Sequence, residues 1–95
     1  MENQNQQPQE IKITDNFAGG EYANGMQISY NKEEFLIYFF NIMPPAGRVC
    51  AKIITSPGHL KRMAAVLEDN LKKYESQFGS VSVAENPKDG IGFKV

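Results

Sequence analysis

The chain has 95 residues, of which 41% are hydrophobic and 22% charged. That describes one small globular domain and excludes both a two-domain protein and a wholly disordered chain. Ten Lys and Arg stand against eleven Asp and Glu, which excludes a strongly basic nucleic-acid clamp on bulk charge. One Cys and one His leave no disulfide framework and no zinc site built only from the Cys and His of one chain.

Residues 1–9 are rich in Gln and Asn and cannot bury a core, so a disordered tail is expected there. They carry no basic start and no apolar segment of a secretory signal. No apolar run approaches the ~20 residues that cross a bilayer. With a lone Cys50, the expected compartment is the cytoplasm. Glu10 to Thr14 alternates, with Ile11 and Ile13 on one face, and reads as a short first strand. Asp15 to Gly20 is a turn by composition.

From Glu21 to Asn31 the pattern has period two, with Tyr22, Asn24, Met26, Ile28 and Tyr30 on one face. Gly25 then marks a bulge or a close backbone approach. The polar Asn24 suits a side chain that satisfies a neighbouring backbone group. After the polar break Asn31-Lys32-Glu33-Glu34, both faces of Phe35 to Met43 are apolar. Phe35, Ile37 and Phe39 share one face; Leu36, Tyr38, Phe40 and Ile42 share the other. Such a strand must be covered on both sides, and as an open edge it would aggregate. Glu33-Glu34 and Pro44-Pro45 flank it as gatekeepers. Pro44 to Gly47 is a turn. Arg48 to Thr55 is the next strand, with Val49, Ala51 and Ile53 facing one way and Cys50, Lys52 and Ile54 the other.

Ser56-Pro57 opens a helix: Ser is a favoured N-cap, and Pro suits the first helical position. Gly79 closes it after Phe78. Leu60, Ala64, Leu67, Leu71, Tyr74 and Phe78 are spaced alternately four and three apart, an a/d seam with Met63 at its edge. The simpler reading lays this seam across the sheet; the sharper one brings it against a symmetry-related helix. The opposite face carries Glu68 and Asp69 four residues before Lys72 and Lys73, pairs worth ~0.3–0.5 kcal/mol each. That face reads as solvated. Lys61 and Arg62 lack such partners and lie near the helix N-terminus, where positive charge is mildly unfavourable. Residues 80–95 form a tail, disordered or adding short edge strands at Val81/Val83 and Ile91/Phe93/Val95.

The expected architecture is therefore α+β. An antiparallel three- or four-stranded meander over residues 10–79 ends in one amphipathic helix. About 70 residues with one core rarely give more than ~3–5 kcal/mol. One helix covers one sheet face, so a homodimer is expected, sheet to sheet or through the helix seam. The packing or dimer seam comprises Phe35, Ile37, Phe39, Leu60, Leu67, Leu71, Tyr74 and Phe78.

Catalytic chemistry has no constellation here. His59 reads as a polar residue of the first helical turn, with no second His or nearby Cys to make it a base or ligand. Cys50 reads as an inert thiol in a strand. Glu33 and Glu34, as adjacent strand residues, would point to opposite faces, poor geometry for a carboxylate pair. No phosphate loop occurs. The chain is read as non-enzymatic and free of cofactor. An enzyme remains only as a site shared between subunits and lined by His59 or Cys50. Strands followed by one helix is also the element order of PUR-type and Whirly-type single-strand nucleic-acid binders, which combine aromatic platforms with basic side chains. Tyr22, Tyr30, Tyr38, Lys12, Lys32, Arg48, Lys52, Lys61 and Arg62 are the residues that would serve such a surface. Fold order alone does not fix function, and the near-zero net charge weighs against it.

Tyr22-Ala23-Asn24, Glu33-Glu34-Phe35, Ser56-Pro57, Lys61-Arg62, Asn70, Tyr74-Glu75 and Phe78-Gly79 together resemble a small prokaryotic family of domains of unknown function, DUF3467. The resemblance spans roughly residues 10–80. It implies no reaction, cofactor or catalytic residue.

Overall fold

The computed structural model describes residues 9–85. The elements are β1 (Gly25–Tyr30), β2 (Phe35–Met43), β3 (Ala46–Thr55) and α1 (Pro57–Phe78). The strands form an antiparallel sheet in the order β1-β2-β3. The strand that is apolar on both faces is thus the central one. Both its edges are hydrogen-bonded, which removes the aggregation-prone edge that its sequence would otherwise present.

The β1–β2 connection is closed by one side chain. Asn31 Oδ1 accepts hydrogen bonds from the backbone N–H groups of Glu33 (2.8 Å) and Glu34 (2.9 Å), while Asn31 N donates to the Glu34 carbonyl (3.0 Å). This is the local side-chain-to-backbone bonding that makes Asn a turn residue. It places Glu33 and Glu34 in a loop rather than on a strand. Pro44 and Pro45 alone separate β2 from β3, so β3 starts two residues earlier than its composition implied.

Three expectations are corrected. Residues 10–14 form no strand; Ile11 and Ile13 are 77% and 87% exposed, and the sheet has three strands. The outer edges of β1 and β3 are open among the described residues, and residues 10–14 pair with neither. Regular β1 pairing begins at Gly25 rather than Glu21. Finally, the strict alternation read for β3 is broken by a bulge: Ala51 opposes Phe39, Val49 opposes Phe40, and Cys50 is the extra residue. Val49 and Ala51 therefore lie on opposite faces, since one inserted residue inverts the alternation.

The helix begins and ends where its caps dictate. Ser56 Oγ accepts from His59 N (3.1 Å), with Pro57 in the first turn. Gly79, at φ 101°, donates its N–H to the Glu75 carbonyl (2.8 Å), a conformation that glycine adopts at little cost. Residues 80–85 carry no strand. The remaining expectations for the tails, at residues 1–8 and 86–95, lie outside the described residues.

The larger departure concerns what α1 touches. No residue of the 22-residue helix is buried. Only Leu60 and Met63, in its first two turns, and Glu75 near its end are half-buried. The helix is not laid across the sheet, and among the described residues the buried core is confined to Ile37 and Phe40 of β2.

Candidate interaction surface

The strand register sorts the sheet into two unlike faces. On the first, the cross-strand rows are Met26–Phe39–Ala51, Ile28–Ile37–Ile53 and Tyr30–Phe35–Thr55. Apart from Thr55 and the Tyr30 hydroxyl this face is apolar from edge to edge. Tyr30 and Phe35 stack across it with ring centroids 5.2 Å apart, a cross-strand aromatic pair. Ile37 at the centre is buried, but Met26 (58%), Ile28 (40%), Tyr30 (74%) and Ile53 (42%) remain exposed around it.

On the second face the rows are Gly25–Phe40–Val49, Gln27–Tyr38–Lys52 and Ser29–Leu36–Ile54. Its apolar residues are concentrated on β2, and Gln27, Ser29 and Lys52 bring polar groups to the edges. Lys52 Nζ lies over the Tyr38 ring, 5.4 Å from its centroid, within cation–π range. This face carries polar edge groups in two of its three rows, although Ile54 at its β3 edge is 65% exposed. The first face has only Thr55 and the Tyr30 hydroxyl.

Where β1 meets β2, Asn24 extends the ladder with its side chain. Its backbone N donates to the Phe40 carbonyl (2.9 Å). Its Nδ2 donates to the Ile42 carbonyl (2.9 Å), and its Oδ1 accepts from Ile42 N (2.8 Å). The carboxamide replaces a strand peptide, the role its unusual position suggested. The adjacent Gly25 is a close approach: a Cβ there would stand 3.0 Å from Ile42 Cδ1. Ahead of the clamp, Glu21 pairs with Arg48 of β3, and the Cys50 thiol faces the Tyr22 carbonyl at 3.8 Å.

The helix seam is the second exposed apolar surface. Leu67 (69%), Leu71 (51%), Tyr74 (50%) and Phe78 (66%) are open to solvent. The Tyr74 and Phe78 rings touch, with centroids 4.9 Å apart. The opposite face is solvated, with the expected ion pairs Asp69–Lys73 (3.1 Å) and Glu68–Lys72 (4.0 Å). Arg62 has a neighbour that the charge pattern did not reveal, His59 Nδ1 at 3.0 Å. Lys61 has no ion-pair partner among the described residues.

Of the residues assembled for nucleic-acid stacking, Tyr38 and Lys52 are brought together and the rest are dispersed. Tyr30 and Tyr38 lie on opposite faces of the sheet, Arg48 is paired with Glu21, and Lys61 and Arg62 are on the helix. Tyr22 precedes β1, Lys12 lies ahead of it, and Lys32 is in the β1–β2 loop. Cys50 and His59 do not line the shallow depression of about 230 Å³ bounded by Ser29, Asn31, Glu34, Leu36 and Ile54. That volume is below the usual range for a ligand pocket. Among the described residues no group of three His, Cys, Asp or Glu side chains is placed to hold a metal ion. No helix there is long and apolar enough to cross a membrane.

The family model for DUF3467, described as a protein of unknown function, matches residues 1–83. The chain belongs to the DUF3467 family. The match extends the resemblance read from the sequence at both ends and takes in every element of the fold. No curated protein and no solved structure matches this DUF3467 chain.

Proposed function

We propose that this DUF3467 protein is a non-enzymatic assembly protein that works as a homodimer, with a second copy covering the helix seam and the first sheet face. The observation that carries this is a well-capped 22-residue helix with no buried residue. Its large seam residues are half to two-thirds exposed. In proteins most of the stability of a helix comes from packing its apolar stripe against another surface.

The areas support one partner covering both surfaces. A large side chain presents roughly 150–200 Å², so half exposure leaves about 100 Å² on each. Four seam residues from each of two copies give only about 800 Å², short of the roughly 1,000 Å² that a specific interface needs. Adding Met26, Ile28, Tyr30 and Ile53 doubles this to about 1,600 Å², the standard size for a stable interface.

Size-exclusion chromatography with light scattering tests this reading. A mass of two chains is expected at micromolar concentration, and a clean monomer defeats it. The dispersal of the aromatic and basic groups favours assembly over single-strand nucleic-acid binding. Titration of a labelled oligonucleotide at two salt concentrations is expected to give no salt-sensitive binding.

A further inference from the structure

We infer that two copies of α1 pair antiparallel, in a register that brings Lys61 of each copy against Glu75 of the other. This rests on the homodimer proposed above and specifies its geometry. The four-and-three spacing of the seam assigns Leu60, Leu67 and Tyr74 to d positions and Ala64, Leu71 and Phe78 to a positions. Lys61, Glu68 and Glu75 then occupy e, and Met63, Asn70 and Gln77 occupy g.

In a parallel pair, g of one helix meets the next e of the other. Met63 would face Glu68, and Asn70 would face Glu75, so no opposite charges meet. Reversing one helix brings e against e and g against g. With Leu60 opposite Phe78, the remaining layers fall into place without a gap: Ala64 opposite Tyr74 and Leu67 opposite Leu71. Each layer joins an a residue to a d residue. At the flank, Lys61 meets Glu75 twice by symmetry, and Met63 meets Gln77. Asn70 meets its own counterpart. Glu68 also meets its counterpart, the one like-charge encounter, and each Glu68 has Lys72 of its own helix beside it at 4.0 Å. Lys61, without an ion partner among the described residues, is thus answered by Glu75 of the second copy. The antiparallel arrangement also sets opposed helix dipoles side by side.

The register has a further physical consequence. The helix starts directly after β3, with only Ser56 between them. The partner's Phe78, opposite Leu60, therefore arrives at the sheet end of α1 rather than in open solvent. There the partner's helix end is brought to the exposed sheet.

A charge-exchange series tests the register. Lys61→Glu and Glu75→Lys each raise the dimer dissociation constant about tenfold, and the double exchange restores it to within about threefold. Within one helix these residues are some 21 Å apart at 1.5 Å rise, so recovery reports a contact between copies. Glu75 also accepts from Val81 N (2.9 Å), so an independent measurement is needed. Spin labels at Gln77→Cys in a Cys50→Ser background separate by about 24 Å along the axis in the antiparallel register and lie side by side in a parallel one. A dimer whose double exchange shows no recovery, or whose labels are adjacent, overturns the register and leaves the dimer standing. A wild-type monomer overturns both.

Discussion

The sheet and the helix both carry apolar residues, 17 of 25 in the strands and 9 of 22 in the helix, but dispose of them differently. In the sheet, β2 is flanked by paired strands on both edges, and its neighbours shelter Ile37 and Phe40 to 2% and 4% exposure. In the helix, the seam faces solvent from Leu67 to Phe78, although Ser56 and Gly79 satisfy its ends. A local fold can thus be fully specified, with caps, registers and loops all in place, while the described residues do not supply the burial that should reward it. A sheet obtains part of its cover from adjacent strands. A lone helix on a short connection must find a surface, and here the sheet does not supply one.

The contrast can be broken most forcefully at the seam. Leu71→Asp places a charge in the middle of the proposed helix pair and is expected to abolish the dimer, read as a one-chain mass by light scattering. A dimer that survives it would show that the seam is not the interface. In the sheet, Phe40→Ala is expected to cost about 3–5 kcal/mol and Ile37→Ala about 2–4 kcal/mol, measured by denaturant unfolding of the dimer at fixed concentration. Losses under 1 kcal/mol would mean that these residues are not the core.

The Asn24 clamp sharpens the picture at the sheet boundary. Asn24→Ala removes two hydrogen bonds and is expected to cost about 1–3 kcal/mol, with amide exchange of Ile42 accelerated first. Unchanged Ile42 exchange would sink the clamp's role. At the helix start, Ser56→Ala is expected to cost about 1 kcal/mol, recovered by Ser56→Asp. The smallest effect belongs to the solvated helix face. Lys73→Ala should change stability by no more than ~0.5 kcal/mol, and a larger loss would place that face in an interface.

What could be read in advance followed from local chemistry. The caps of α1, the opposite-facing halves of β2 and the ion pairs of the outer helix face depend on residues a few positions apart, and their spacing states them. The strand expected at residues 10–14 does not form because alternation states which face would be apolar, not whether the segment pairs with an open edge. The bulge at Cys50 is not legible because it is a relation between β2 and β3, and the one glycine of β3, Gly47, lies three residues away from it. The Asn24 clamp was half legible: a polar side chain at an apolar position pointed to a backbone partner, and only the register identifies it as Ile42. The helix laid across the sheet was the costliest misreading. An apolar stripe states that a surface is needed but not whose surface it is. The contrast between the two sheet faces likewise depends on edge residues from three strands that only the register brings into common rows.

The carboxamide of Asn24 also defines a natural boundary for manipulating the molecule. It closes the β-ladder in a single residue, and the ties ahead of it are side-chain links to β3 rather than ladder bonds. Tags, reporters or truncations made upstream of Glu21 therefore leave the paired strands untouched, whereas a cut one residue past the clamp would unzip the sheet from its corner.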